Sequence, residues 1–465
     1  MATTTPSAPD ARPFQSGTSG APGPLGVPPG PRAHPFVQTL AWAFAPTWLM
    51  DRCAARIGDA FTLTFFPSGM QLVMLSDPQS VKQVFTAPPE VAPSAANSSP
   101  IATVLGQSSV ITLTGPEHMR QRKLLLPPFH GARMREYEDV IVQATRRDMA
   151  GWPLGRPMRM HPHTRAITLE VILRAVFGVE AERMAALREA LGALLAAPQN
   201  PLRLLLMALR MPSRERPGGA LGEALDRVDS LIYAELALRR GESDLASRTD
   251  ILSLLLQARD EDGVPMTDGE LRDELVSLLL AGHETTATTV AWAIERLVRH
   301  PEKLTRLVAE IDAGEDDAYL RAVVDETLRV RPTVPIVARL LTRDFDLGDR
   351  VLPAGTRVFP SIYLTNRNPS VYPQPAAFRP ERFLDAGPDT FSWIPFGGGI
   401  RRCIGAAFAQ LEARVMLRTV LAELEPSLPP GVAGVLRRRG EGVRRRAITL
   451  VPADGARVVW RRRSG

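Results

Sequence analysis

Apolar residues recur at helical spacing over most of this chain and alternate with polar ones only in short runs. Ala181 to Ala197, Leu221 to Leu238 and Pro301 to Ile311 each carry apolar positions three and four apart, which predicts helices. The longest such pattern spans Asp268 to Arg299. Leu271, Leu275, Leu278 and Leu279 form one stripe, and Val290, Ala293, Ile294 and Leu297 form another. Thr267-Asp268-Gly269-Glu270 has capping-box spacing at its start. Between the stripes stands Ala281-Gly282-His283-Glu284-Thr285-Thr286. A helix this long and apolar is expected to cross the middle of a domain, where a glycine and a polar cluster cost stability. The interruption therefore reads as chemistry.

Strand signals are few. Phe61 to Phe66 and Gln71 to Leu75 read as a hairpin around Pro67-Ser68-Gly69, with short β segments at Arg350 to Phe359 and Ala447 to Trp460. The fold class is mainly α with a small β-rich region. Residues 1–34, rich in Pro, Gly, Ala, Ser and Thr, cannot bury enough surface to offset their ordering entropy and are expected to form a flexible tail. Residues 35–465 form one domain without linker or repeat. Phe36 to Met50 is apolar but too short to cross a bilayer, and it contains Pro46. It reads as a short amphipathic helix capping the domain, with peripheral membrane contact the lesser alternative.

Composition narrows the function. The chain has 465 residues, 45% of them hydrophobic, enough for a large core. Its net charge is +6, but the only lysines are Lys82, Lys123 and Lys303, and 50 acids are interspersed with the arginines. That skew reads as codon usage in a GC-rich genome, and no nucleic-acid partner is expected. Arginine triplets at Arg437 to Arg439, Arg444 to Arg446 and Arg461 to Arg463 read first as a solvated edge, and second as a surface for an acidic partner or lipid headgroups. The two cysteines, Cys53 and Cys403, suggest no disulfide framework and a reducing compartment. With neither a signal segment nor a transmembrane span visible, a cytoplasmic monomer is expected.

The densest motif is Phe396-Gly397-Gly398-Gly399-Ile400-Arg401-Arg402-Cys403-Ile404-Gly405. Glycines let a main chain pass close to a flat cofactor. A helix starting near Gly405 would point its positive end at the sulfur and lower the thiol pKa. The decamer resembles the heme-ligand loop of cytochrome P450 monooxygenases in Phe396, Gly399, Arg401, Cys403 and Gly405. The resemblance implies that fold, with a long central helix over heme b (iron protoporphyrin IX), and Cys403 as the axial iron ligand.

Further motifs follow the same order along the chain. Ala281-Gly282-x-Glu284-Thr285 resembles the family's acid–alcohol motif. The resemblance implies that Ala281 and Gly282 border the oxygen site and that Gly282 leaves room for a diatomic ligand. It makes Thr285 the residue that steadies bound oxygen and Glu284 a proton relay. A Thr285 hydroxyl bonded to the Ala281 carbonyl would loosen the helix there. His283 reads as a satisfied core residue. Glu326 and Arg329, with Arg382 of Pro380 to Phe383, match the family's structural triad. His118, Arg122, Arg339 and Arg401 match its heme-propionate contacts.

The resemblance also implies dioxygen and electrons from a separate protein, since no flavin or nicotinamide fingerprint follows a strand. Arg120, Lys123, Arg402 and Arg414 are candidate contacts for an acidic ferredoxin or flavodoxin. Pocket walls are expected at Ile101, Val104, Leu105, Leu206, Met207, Val334, Ile336 and Val337. Such walls suit a fatty acid, terpenoid or steroid-like substrate. A heme-thiolate isomerase, a peroxide-driven enzyme and a ligand sensor without turnover are the alternatives. The intact Glu284-Thr285 pair argues against each.

Overall fold

The computed structural model describes residues 14–15, 24–99, 101–129, 133–178, 181–196, 218–314, 316–384, 387, 389–430 and 440–463. Arg437 to Arg439, Leu206 and Met207 lie outside the described residues. Among the described residues no helix is long and apolar enough to cross a membrane.

The predicted central helix is a single element, Asp268–Arg299. Its capping box forms: the Thr267 hydroxyl accepts from the Glu270 N–H at 3.2 Å, and the Glu270 carboxylate accepts from the Thr267 N–H at 2.7 Å. Two orphan amides at the helix start are satisfied in this way. Helix Met160–Phe177 crosses it, and Ala318–Val330 and Ala406–Glu423 lie against it on other sides. These helices share the largest hydrophobic core, which includes Val171, Ile172, Leu275, Leu279, Ile294, Leu328 and Met416.

Helices Ala181–Ala196, Gly219–Gly241 and Pro301–Ala313 occupy the predicted stretches. The β region is small. One sheet has the order Ala60–Phe65, Met70–Leu75, Arg357–Pro360, Arg339–Leu340, with its middle pair parallel. Another pairs Pro157–Arg159 and Leu424–Ser427 with the two edges of Arg457–Arg462.

Three expectations are corrected. The capping element at Phe36 to Met50 is two helices, Pro35–Phe44 and Pro46–Ile57, because Pro46 cannot continue a helix but suits the first position of the next. Arg350 to Phe359 divides into Val351–Leu352 and Arg357–Pro360 around Gly355 at φ 82°. Ala447 to Trp460 likewise divides around Gly455 at φ 77°, a conformation that favours glycine. Within the stretch expected to be a flexible tail, several described residues are tied down. Phe14–Gln15 pairs with Phe345–Asp346, and the carbonyls of Pro28 and Pro29 accept from the Thr62 hydroxyl and amide at 2.6 and 3.1 Å. Prolines lack a donor but keep a carbonyl, which suits them to a sheet edge.

Candidate active site

The loop before Cys403 is set by glycines, and packing within the protein already requires two of them. Gly397 and Gly399 have φ of 69° and 65°. A Cβ on Gly399 would collide with the Phe85 carbonyl, and one on Gly398 with the Phe85 ring. The close approach they permit is to the Phe85 helix. Beside Gly405, by contrast, a Cβ would meet no protein atom within 4 Å. The Cys403 N–H donates to the Phe396 carbonyl at 2.9 Å, closing the loop. Helix Ala406–Glu423 then starts with Gly405 as its cap, and the Gly405 N–H donates to the Cys403 sulfur.

Cys403 has accessible surface, yet burial pushes its thiol pKa up. A recess explains both facts: the sulfur opens to one side and is walled by protein on the others. The Gly405 amide, Arg402 and Arg122 pull the other way but do not prevail. The helix-induced lowering expected from sequence is therefore outweighed by desolvation. A metal ion on the sulfur would replace the proton.

Around this recess stand three arginines and a buried histidine. His118, on helix Gly115–Leu125, is buried with its Nδ1 unpartnered. Burial, then Arg401, Arg122 and Arg339, lower its pKa to about 4. Burial and Arg401 hold Arg339 down to about 10, and burial and Arg122 do the same to Arg401. Among the described residues no carboxylate pairs with Arg122, Arg339 or Arg401. Arg401 instead donates to the Leu113 carbonyl, and Arg339 to that of Ala338 at 2.9 Å. Crowded, partly desolvated cations without a counter-charge are costly unless an anion joins them. A flat apolar group with two carboxylates fits that demand, so the residues present fit heme and its propionates.

The central helix is opened in its middle. Ala281 is exposed, and Leu278, Gly282 and Thr285 are half-exposed, on a helix otherwise largely buried. Their spacing puts them on one face. The Thr285 hydroxyl donates to the Ala281 carbonyl at 2.7 Å, as expected from sequence. The Thr333 hydroxyl donates to the Thr285 carbonyl at 3.4 Å, joining this turn to the segment that carries Val334 and Val337. Gly282 has a second reason to be glycine. A Cβ there would stand 3.0 Å from Ile172 of the crossing helix.

Glu284 points into a charged clamp that sequence reasoning missed. Its carboxylate lies 2.8 Å from Arg165 Nε, 3.4 Å from Arg446 Nε and 3.5 Å from His161 Nε2. Burial raises the Glu284 pKa, while Arg165 and Arg446 pull it back. Burial and these arginines lower that of His161 to about 3, and its Nε2 lies 3.1 Å from the Thr288 hydroxyl. The three partners come from positions more than 100 residues away, and no local spacing announces them. Arg446 also corrects the reading of its triplet as a solvated edge, as does Arg445, which lies over the Trp42 ring at 5.4 Å. His283 is buried with its pKa lowered to about 3, chiefly by burial, but its Nδ1 has no partner, so it is not fully satisfied.

Glu326, Arg329 and Arg382 come together. Arg329 donates from Nε and Nη2 to the two Glu326 oxygens at 2.6 and 2.8 Å, both residues being 0% exposed. Its remaining donors reach the carbonyls of Asn366, Pro375 and Ala377 at 2.8 to 3.0 Å. Arg382 Nε stands 3.6 Å from Glu326, and its Nη2 reaches Pro373 and Gln374 carbonyls. The Asn366 side chain in turn accepts from the Ile394 N–H at 2.9 Å, just before the cysteine loop.

Two groups of expected residues need correction. Leu105 is 1% exposed inside the main core and cannot wall a pocket, because the Gly106 turn packs its helix onto Asp273. Its neighbours Ile101 and Val104 are half-exposed, as are Val334, Ile336 and Val337, and a Cβ on Gly397 would stand 3.9 Å from Val337. Arg120 and Lys123 are already ion-paired. Arg120 is bound to Asp260 and Glu270 at 2.5 and 2.6 Å, and Lys123 to Glu261 at 2.7 Å. Arg402 remains exposed, and Arg414 lines a recess of about 160 Å³ with Arg321, Asp325 and Gln410.

One buried acid was not anticipated. Glu412, on the helix after Cys403, is held at about 8 by burial, with only the Thr286 hydroxyl acting against it. The unfolded chain releases this proton near pH 4.5, whereas the folded chain keeps it to about pH 8. Stability is thus lost as pH rises through that window. Glu412→Gln, which has no proton to lose, is expected to match the parent at pH 4.5 and to melt on the order of 5 °C higher at pH 8. Thermal melts at the two pH values check this; equal melting points at pH 8 would refute it.

A one-sided thiol, a cluster of arginines without carboxylate partners and an opened turn in a central helix together fit a heme-thiolate oxidoreductase. Comparison with known proteins agrees. The family model described as cytochrome P450 matches residues 28–447. The chain is 40% identical over 449 residues to cytochrome P450 135B1 of Mycobacterium tuberculosis, covering 95% of this chain and 92% of that one. It is 39% identical to cytochrome P450 138 of Mycobacterium bovis, covering 95% and 98%. The fold is shared with a cyanobacterial CYP120A1 solved with retinoic acid bound, at a TM-score of 0.81 and 23% identity, covering 96% of this chain and all of the other. The cytochrome P450DA heme domain gives 0.79 and 24%, covering 95% and 99%. This chain belongs to the cytochrome P450 family of heme-thiolate monooxygenases.

Proposed function

We propose that the chain oxygenates an apolar substrate of the fatty acid, terpenoid or steroid-like class, using dioxygen and electrons from a separate ferredoxin or flavodoxin. The observation that carries this reading is the Thr285 hydroxyl bonded to Ala281 at 2.7 Å beside a clamped Glu284. Heme, when bound through Cys403, supplies the oxygen-activating and one-electron chemistry. Everything else falls to this chain. His118, Arg122, Arg339 and Arg401 orient the cofactor by its carboxylates, and the Gly405 amide tempers the sulfur's charge. Glu284, held in place by Arg165, Arg446 and His161, carries protons to the opened turn, where Thr285 passes them to the oxygen site. Val104, Val334, Ile336 and Val337 give the substrate an apolar wall. Arg402 and Arg414, rather than the paired Arg120 and Lys123, face the electron donor.

The test compares turnover driven by a surrogate ferredoxin and its reductase with turnover driven by peroxide, on a panel of lipids and terpenoids. Thr285→Ala is expected to lower product formed per electron pair by about tenfold or more, since a positioned proton donor is lost. Its peroxide-driven rate should change far less, because peroxide already carries its protons. Equal loss in both assays, or a parent that turns over no faster with the ferredoxin system than with peroxide, would overturn the reading.

A further inference from the structure

Helix Pro35–Phe44 packs Ala41 and Trp42 against the core but leaves other large apolar side chains outside. Its polar Gln38 and Thr39 are buried, whereas Phe36, Val37 and Phe44 are 48%, 53% and 55% exposed. The inward face is explained by the sheet. Gln38 Oε1 accepts from the Thr64 N–H and Thr39 Oγ1 from the Phe66 N–H, each at 2.9 Å, so the two side chains close the open edge of strand Ala60–Phe65. Among the described residues nothing explains the outward face.

The exposed apolar surface continues beyond that helix. Phe36 meets the Phe66 ring edge-on at 5.9 Å, and Met70 flanks the same exposed hairpin tip. Trp48, on the following helix, is 54% exposed with the Arg52 guanidinium 5.3 Å over its ring. Among the described residues no element covers this face. Neither Ala33 to Met50 nor Ala60 to Ser76 contains Asp, Glu, Lys or Arg, in a chain that is 23% charged. Exposed Arg32, Arg52 and Arg56 border the face, and none pairs with a carboxylate among the described residues. The nearby acids are turned to other tasks, Asp51 to the Tyr363 hydroxyl at 2.9 Å and Asp59 to that of Ser76 at 3.0 Å.

We infer that this face docks on the surface of an anionic bilayer. An uncharged aromatic plane with a cationic rim matches the acyl boundary and the headgroups above it. The protruding hairpin tip and helix suit insertion into a soft phase better than a flat self-complementary contact. The contact is peripheral, and it would bring an enzyme for apolar substrates to the phase in which they dissolve.

Flotation of the full-length holoprotein with phosphatidylcholine vesicles, with and without phosphatidylglycerol, tests this. Binding is expected to be about tenfold stronger or more on the anionic vesicles and to weaken with salt. Phe36→Ser with Phe44→Ser and Phe66→Ser should lower it by about tenfold or more, while the carbon monoxide spectrum stays that of the parent. No flotation with either vesicle overturns the inference. So does concentration-dependent self-association that the triple variant abolishes without vesicle binding, which would make a second copy the occupant.

Discussion

Cys403→Ser is expected to remove the red-shifted Soret band of the ferrous carbon monoxide complex and to cut monooxygenation by about a thousandfold or more. Serine matches the size of cysteine, so the loop should still close from the residue 403 N–H to Phe396 and still meet the Gly405 amide. Its hydroxyl is far less acidic and a poorer donor to iron, so the electron push of a thiolate is lost. The fold should survive, because the loop keeps its packing on Phe85 and its run into the following helix. Far-ultraviolet circular dichroism and the carbon monoxide difference spectrum, taken together, check this. An unchanged band in the serine variant would remove Cys403 from the iron, and the assignment of the site with it.

Breaking the Glu326–Arg329 pair should have the largest effect on folding. Both side chains are fully buried, and every Arg329 donor direction is used, on two carboxylate oxygens and three carbonyls. Removing one partner strands a charge in the interior, at a cost of about 3–5 kcal/mol. That is a large part of the stability of a typical domain. Glu326→Gln and Arg329→Ala are therefore expected to yield little soluble protein, with a heme-to-protein absorbance ratio near zero. Arg329→Lys should fail almost as badly, because an ammonium cannot reproduce the planar fork. Arg382→Ala should be milder, since Arg382 stands 3.6 Å from Glu326 and is partly exposed. If Glu326→Gln retained full heme content, the pair would not be what holds the segment before the cysteine loop.

The long-range order of the site explains what was legible. The central helix was readable because its stripes and capping box lie within one stretch of chain. The Thr285-to-Ala281 bond was readable for the same reason, being four residues long. Glu326 and Arg329 are three apart, and His118 and Arg122 four apart, so each pair could be seen as neighbours on one helix face. The break at Ala45 was less clear, because an apolar run with one proline leaves open whether a helix bends, ends or restarts.

Partnerships between distant segments could not be seen. Glu284 acquires Arg165 and Arg446 only when the crossing helix and the C-terminal hairpin reach the central helix. Arg120 looked available to a partner until the 260–270 segment supplied its carboxylates. Gly398 and Gly399 of the cysteine loop leave no room for a side chain because of Phe85, more than 300 positions earlier. Leu105 and Val104 are adjacent and similar in sequence, yet the Gly106 turn buries one and leaves the other half-exposed.

By itself, then, the order of residues determined the chemistry on offer: one thiol beside glycines, one acid–alcohol turn, and arginines and a histidine enough to hold two carboxylates. Periodicity and caps act over a few residues, so they carry that information without any knowledge of the fold. Tertiary structure decided which charges are spent on one another and which are left to meet a ligand, a donor protein or a surface. That choice depends on desolvation and on contacts between segments hundreds of residues apart, and only the packed chain sets both.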